Sequence, residues 1–222
     1  MRREPANRNH DLNLVNQSMK TLVITDVQND FLPGGALEVP FGDQIIPVIN
    51  SIQERFSLVV ATQDWHPGNH SSFASNHFRG KPLDRIEWQG GEQILWPDHC
   101  VINTKGAEFH PDLRMDRVEA IFRKGMDREI DSYSGFYDNR HKKNTGLAGY
   151  LRERKASELY FCGLAADFCV YYSILDALNE GFNTTLIEDA TRPLSNETFE
   201  FKKKELTGRG VRFINSDEII PL

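Results

Sequence analysis

Short runs rich in β-branched residues alternate with helical patterns along most of this chain, and this alternation limits its possible folds more than any other feature. The runs lie at 21–25 (TLVIT), 58–62 (LVVAT), 118–122 (VEAIF), 158–162 (ELYFC), 184–187 (TTLI) and 211–214 (VRFI). Helical patterns fall at about 43–56, 145–155, 167–180 and 195–207. Strands that alternate with helices form parallel sheets joined by crossover helices. The sequence therefore predicts a three-layer α/β fold with a mostly parallel six-stranded sheet flanked by helices.

The domain boundary is predicted from a change in composition near the N-terminus. Residues 1–18 are polar, rich in asparagine and aperiodic, so they cannot bury enough apolar surface to offset the entropy lost on ordering. We expect residues 1–18 to form a flexible leader and residues 19–222 to form a single domain, because 222 residues lie near the upper end of single-domain size.

Charge and cysteine content limit the kinds of binding partner and the cellular compartment that we expect for this protein. A formal net charge of −6 offers no broad basic surface for nucleic acid, and no apolar run approaches the roughly 18–20 residues of a membrane span. The three cysteines lack metal-finger or redox spacing, which argues against a secreted disulfide framework. We predict a cytoplasmic protein that acts on a small molecule without binding nucleic acid or membranes; the sequence leaves a homo-oligomer open.

Cys169 is a candidate nucleophile because of its position between a predicted strand and a predicted helix. The segment 163–170 (GLAADFCV) places Cys169 in the first helical turn, with Asp167 as the expected N-cap. Unpaired N–H groups and the helix dipole there are expected to lower the pKa of the thiol. The alternative is an inert buried cysteine, which is the interpretation favoured for Cys162 in mid-strand.

Charged side chains follow three of the predicted strands. Asp26 follows the first, Asp64 the second and Lys124 the third. Individually, an aspartate at a strand end is more often a turn former, and a lysine is more often a solvated surface group. Because ligands bind beyond the carboxyl ends of parallel strands, we expect these groups to converge with Cys169 and to perturb one another's pKa values.

A candidate metal site lies in the long irregular stretch at about 65–117, a length of loop that is usually functional. Asp64 and His66 stand two residues apart on an extended segment, and His70 and His99 follow. Carboxylate and imidazole groups suit zinc, iron or manganese. The alternative is a set of surface histidines.

Five motifs in this order resemble the nicotinamidase branch of the isochorismatase-like cysteine hydrolases, and the similarity covers about 19–222. They lie at 26–31 (DVQNDF), 62–67 (TQDWHP), 96–101 (WPDHCV), 123–125 (RKG) and 163–170 (GLAADFCV). A departure occurs at Ala166, where many relatives carry threonine; its methyl group should leave the nucleophile in place. The insertion at 71–92 resembles that of larger bacterial and yeast members.

The resemblance implies a catalytic triad, a metal site and a ring pocket. It makes Asp26, Lys124 and Cys169 the triad. It makes Asp64, His66 and His99 the ligands of one divalent ion, with zinc foremost and iron or manganese as alternatives, and it leaves His70 open as a fourth ligand. Its substrate-binding residues are Phe31, Trp96, Tyr133 and Ala165, and it implies a cis Leu164–Ala165 peptide.

The activity implied by the resemblance is hydrolysis of nicotinamide to nicotinate and ammonia through a cysteine thioester, in NAD salvage. One alternative is an amidase of the same fold with a carbamoyl or ureido substrate, for which a metal that grips a pyridine nitrogen has no evident use. A lyase acting on isochorismate would leave Cys169 without a role. A third alternative is a non-catalytic module that binds a small ligand or a metal.

Overall fold

The computed structural model describes residues 19–220 and contains two β-sheets. The strands are β1 (Met19–Thr25), β2 (Leu58–Asp64), β3 (Arg85–Trp88), β4 (Gly91–Ile94), β5 (Val118–Lys124), β6 (Ala156–Leu164), β7 (Asn183–Arg192) and β8 (Arg212–Ile214). The helices are α1 (Ile45–Ile52), α2 (Leu147–Glu153), α3 (Cys169–Asn179) and α4 (Asn196–Gly208). The expected leader, residues 1–18, lies outside the described residues, and the single domain stays a prediction.

The main sheet has six strands in the order β5-β2-β1-β6-β7-β8, and all of its neighbouring strands pair in parallel. The predicted α/β class and the six-stranded sheet are therefore confirmed. The chain builds outward from β1 to β2 and β5, then returns to β6 on the other side of β1. Ligands of open parallel sheets bind where the strand order reverses, so the topology directs attention to the carboxyl ends of β1 and β6.

Two apolar cores cover the two faces of this sheet. Along β1, Leu22 and Ile24 pack in the core that contains α1, whereas Val23 packs in the core that contains α2, α3 and α4. Because side chains alternate across a strand, a strand buried on both faces needs a continuous apolar run. This requirement explains the runs that stand out in the sequence.

The structure departs from the sequence-based expectations in the loop after β2 and at the start of α3. β3 and β4 form an antiparallel hairpin inside the stretch that was expected to be irregular. Asp167 does not cap α3; its carboxylate accepts the N–H groups of Leu194 and Ser195 at 2.8 and 3.0 Å, and Phe168 occupies the N-cap position. The Asp167 side chain thus joins the start of α3 to the loop after β7.

Residues 19–220 include no helix with the length and apolar character needed to span a bilayer.

Candidate active site

The carboxyl ends of β1, β2, β5 and β6 bring the predicted triad together. Asp26 follows β1 with φ 47°, in the left-handed region, and its N–H donates to the Thr62 carbonyl at 3.3 Å. Lys124 is the last residue of β5, and Cys169 is the first residue of α3. Three residues that are distant in sequence therefore meet at the point where the strand order reverses.

The Lys124 ammonium is the centre of this cluster and is fully buried. Its Nζ lies 3.0 Å from a carboxyl oxygen of Asp26 and 3.0 Å from one of Asp64. It also donates to the Ser132 carbonyl at 3.0 Å and lies 3.4 Å from the Cys169 Sγ. A lysine has three N–H donors and no acceptor, so every close contact of this ammonium is with a negative or electron-rich atom.

The pKa of the Cys169 thiol is raised, which contradicts the expectation that the helix start would lower it. Burial is the largest cause, the carboxylates of Asp26 and Asp64 add to it, and the Lys124 ammonium acts against it. Desolvation disfavours the charged form of any group. A thiol with a raised pKa needs a base in order to act as a nucleophile.

Asp26 is positioned as that base. Its pKa is raised, first by burial and then by the Asp64 carboxylate, although Lys124 and a hydrogen bond from Thr62 Oγ1 at 2.7 Å lower it. A carboxylate with a raised pKa accepts a proton more readily than an ordinary aspartate does. The side chain is fully buried, so its orientation is fixed by these contacts and not by water.

Asp64, His66 and His99 form the second half of the site. The Nε2 atoms of His66 and His99 lie 3.1 and 3.4 Å from one oxygen of Asp64, Oδ2. Each ring uses its other nitrogen on a backbone carbonyl: His66 Nδ1 lies 2.8 Å from Gly125 O, and His99 Nδ1 lies 2.7 Å from Pro97 O. An imidazole whose Nδ1 donates a hydrogen bond turns the lone pair of Nε2 toward the centre.

The donor set fits a divalent cation. The Nε2 lone pairs of His66 and His99 both lie within 3.4 Å of Asp64 Oδ2. These electron-rich atoms repel one another unless a positive charge lies between them. These three residues satisfy the spacing of a metal site, and so does a second group of His66, His70 and Asp131. The Nε2 atom of His70 is buried without a hydrogen-bond partner, which gives that ring an unused donor atom beside the same centre.

The backbone at Gly125 is required by this arrangement. Gly125 has φ +68°, and a Cβ atom there would lie 2.3 Å from the His66 ring. Its carbonyl is the acceptor that orients His66. Glycine is thus needed both for the conformation and for the close approach, which accounts for the third residue of the 123–125 motif.

A small pocket, partly open to solvent, is lined by Asp64, His99 and Cys169 of this cluster. All four residues expected to bind substrate line it, namely Phe31, Trp96, Tyr133 and Ala165. Trp96 Nε1 donates to the Tyr133 hydroxyl at 3.2 Å, which fixes the two rings nearly perpendicular. The peptide between Leu164 and Ala165 is cis, as expected.

Four further lining residues were missed by the sequence-based prediction, namely Leu37, Asp131, Phe168 and Leu194. Three of them are apolar and could not be told from core residues. Asp131 follows no strand, so the rule that located the other carboxylates could not find it. Phe168 is adjacent to Cys169, and this adjacency was the only available signal.

Comparison with known proteins places the chain in a family. A family model described as the isochorismatase domain matches residues 20–218. The chain belongs to the isochorismatase domain family. The chain is 46% identical over 200 residues to a nicotinamidase of Acinetobacter baylyi. The aligned region covers 90% of this chain and 94% of the relative.

Two solved members of the isochorismatase family agree with this assignment. A nicotinamidase and pyrazinamidase of Acinetobacter baumanii has a TM-score of 0.89 and 46% identity, covering 91% of this chain and 99% of that one. A pyrazinamidase of Pyrococcus horikoshii, solved in complex with zinc, has a TM-score of 0.74 and 40% identity, covering 89% and 99% of the two chains.

Proposed function

We propose that this protein hydrolyses nicotinamide to nicotinate and ammonia through a thioester on Cys169. The observation that carries the proposal is the contact of one buried ammonium, Lys124, with the carboxylate of Asp26 and the sulfur of Cys169. Cys169 in turn lines an aromatic pocket. The family and the relatives described above support an amidase acting on a pyridine carboxamide. The role in NAD salvage follows from this reaction.

The first half of the reaction forms the thioester. The Cys169 sulfur attacks the carboxamide carbon while Asp26 accepts the thiol proton. The backbone N–H groups of Ala165 and Cys169 are proposed to stabilise the oxyanion, and one such donor contributes about 2.7–4 kcal/mol. Asp26 then delivers the proton to the amide nitrogen as the C–N bond breaks, and ammonia leaves.

The second half returns the free enzyme. A water molecule adds to the thioester carbon while Asp26 accepts its proton. The C–S bond breaks, and Asp26 returns its proton to the sulfur. The product leaves as nicotinate after its carboxyl group has lost the second proton of the water to solvent. The Lys124 ammonium stabilises the charge on Asp26 and on the departing thiolate in both halves, because it lies within 3.4 Å of each.

The residues proposed to hold one divalent ion are Asp64, His66 and His99, with His70 as a candidate fourth ligand. Zinc is the first choice, since nitrogen and oxygen donors suit it and the Pyrococcus relative was crystallised with zinc; iron and manganese accept the same donors. When bound by these residues, such an ion would supply Lewis-acid chemistry, which would favour the pyridine nitrogen of the substrate and would lower the pKa of a water molecule.

The aromatic walls are proposed to orient the flat ring. Phe31, Trp96 and Tyr133 stack against it, and each contributes on the order of 1 kcal/mol beyond burial. A linear carbamoyl or ureido substrate gains nothing from these rings, which disfavours that alternative.

The test is an ammonia-release assay with nicotinamide, pyrazinamide and a linear ureido amide. We expect turnover of nicotinamide and loss of activity in Cys169→Ala, by about 10⁶-fold if the nucleophile behaves as in other covalent hydrolases. Cys162→Ala is the matched control, because Cys162 is also a buried free thiol but lies within β6. Unchanged turnover in Cys169→Ala refutes the nucleophile, and a preference for the ureido amide refutes the substrate.

The cellular location and the assembly of the protein are separate proposals. Three free cysteines suit the reducing cytoplasm. Fractionation of cells tests the location, and light scattering of the purified protein tests whether it forms a homo-oligomer.

A further inference from the structure

Lys202 on α4 reaches across to the start of α3, where it meets three aromatic rings. Its Nζ lies 4.7 Å from the ring centroid of Phe168, 4.6 Å from that of Tyr171 and 4.7 Å from that of Tyr172. The same atom donates to the Asp167 carbonyl at 2.6 Å. An ammonium within about 6 Å of a ring centroid is attracted by the ring quadrupole, so one charge attracts three rings at once.

Two of these rings belong to the wall of the site pocket or support it. Phe168 lines the pocket beside Cys169, and its ring packs edge to face on Trp96 at 5.0 Å and on Tyr133 at 5.5 Å. Tyr172 stacks on Tyr133 with ring centroids 5.3 Å apart. The contacts of Lys202 therefore extend to the rings that are proposed to hold the substrate.

The backbone alone does not fix the Phe168 ring. Phe168 precedes the first residue of α3, with φ −128° and ψ −97°, outside the helical region. Its side chain is only partly buried, so the protein interior encloses the ring incompletely. The hydrogen bond to Asp167 and the cation on the ring face are the contacts that α4 supplies to this junction.

We propose that Lys202 is a positioning residue for the aromatic part of the substrate: it holds Phe168 and Tyr172, and through them Tyr133, in the orientation that stacks on a flat ring. The inference rests on the proposed function for the identity of the substrate. It differs from a purely structural role, in which Lys202 would only attach α4 to the sheet. Burial lowers the pKa of Lys202, while Asp167, Cys169 and Glu205 act against this lowering.

The two roles predict different kinetics. A positioning role for the ring pocket affects binding of nicotinamide and nicotinate more than chemistry at the thiol. We expect Lys202→Met to raise KM for nicotinamide and Kd for nicotinate by about five- to thirtyfold, which spans the range from an exposed to a desolvated cation–π contact, with kcat within about twofold of wild type. Lys202→Arg keeps the cation and the donor and should recover most of the binding.

The matched control is Lys204→Met on the same helix, because Lys204 is exposed. This variant should retain wild-type KM and Kd. Lys202→Gln separates the two contacts, since it keeps an N–H donor for Asp167 and removes the charge; it should resemble Lys202→Met. If Lys202→Met does not fold, Lys202→Gln carries the test.

Three results would overturn the inference: unchanged KM in both Lys202→Met and Lys202→Gln, a fall in kcat without a change in KM, or an arginine variant no better than methionine. A double-mutant cycle adds a direct check. In a Phe168→Leu background, Lys202→Met should raise KM by much less than it does alone, and an undiminished effect contradicts action through Phe168. Failure of the wild type to hydrolyse nicotinamide refutes the proposed function instead, and the Kd for nicotinate then still tests Lys202.

Discussion

Replacement of Lys124 by methionine tests the electrostatic centre of the site. The side chain is fully buried, and its Nζ lies 3.0 Å from the carboxylates of both Asp26 and Asp64. Methionine keeps the length and removes the charge, which leaves two buried carboxylates without their shared partner. Removal of one member of a buried ion pair costs about 3–5 kcal/mol, against a total stability of about 5–15 kcal/mol for a domain. We expect Lys124→Met to fold with a large loss of stability.

The loss should depend on pH in a definite direction. The pKa of Asp26 is already raised by burial, with Lys124 acting to lower it, so in the variant this pKa rises further. A carboxyl group whose folded pKa lies above its unfolded value binds protons more tightly in the folded state. Its contribution to stability is present below the unfolded pKa and is lost as pH rises through the folded pKa. The deficit of Lys124→Met should therefore be larger at pH 8 than at pH 5.

Urea denaturation of chelator-treated protein at the two pH values measures this deficit, with ammonia release as a second readout. Lys143→Met is the matched control: its ammonium forms an exposed ion pair with Asp127, and such pairs contribute little. A loss at pH 8 below about 1 kcal/mol would refute the reasoning, because it lies under the cost of an unpaired buried charge. A deficit that grows toward acid pH would refute the assigned sign.

Three further outcomes are expected. Thr62→Val removes the 2.7 Å hydrogen bond to Asp26 and should reduce stability by about 1–3 kcal/mol; an unchanged urea midpoint argues against that bond. His99→Ala should weaken zinc binding by more than about tenfold, because loss of a residue that only hydrogen-bonds to a metal ligand already weakens metal binding by about that factor. Equal zinc contents of wild type and variant, by elemental analysis after loading, would exclude His99 as a ligand. The pKa of buried His70 is lowered to about 4, so metal-free protein should lose on the order of 3 kcal/mol as pH falls from about 6.5 to 4; calorimetry should find a flatter profile in His70→Gln, and an identical profile would contradict this assignment.

The six strands could be predicted because their sequences carry a strong signal. A strand that is buried on both faces must be apolar at every position, and residues 21–25 and 58–62 are nearly so. β7 extends to Arg192, past the predicted end at residue 187. The prediction stopped early because residues 188–192 are partly polar and lie at the edge of the core.

The β3–β4 hairpin was missed although a signal for it existed. Residues 85–88 alternate charged and apolar side chains, and Gln89 and Gly90 both have positive φ (48° and 82°), as a type I′ turn requires. Gln-Gly is a less common pair for this turn than Asn-Gly, and the surrounding histidines and tryptophans favoured a loop instead.

Within the site, sequence order predicted position but not electrostatic environment. The end of a strand and the start of a helix can be predicted from the pattern of apolar residues. The proximity of Asp26, Lys124 and Cys169 could therefore be predicted from the sequence. Whether a thiol is desolvated depends on side chains from distant elements, among them Leu37 and Leu194, whose role no local pattern reveals. For this reason the predicted direction of the Cys169 pKa shift was wrong, although Cys169 does lie at the start of a helix, as predicted.

The charge balance of the site connects the nucleophile with the proposed metal. Asp26, Asp64 and Asp131 are buried carboxylates, and Lys124 is the ammonium among them. This excess of negative charge disfavours a thiolate on Cys169. It also raises the pKa of His66: burial alone would lower that pKa, but the charges of Asp64 and Asp131 outweigh it. The electrostatic field of these carboxylates thus disfavours the Cys169 thiolate that the proposed reaction needs, and it favours a cation among the histidines. The proposed proton transfer to Asp26 would reconcile the two effects, because the thiol would be ionised only as it attacks, when its charge passes to the substrate.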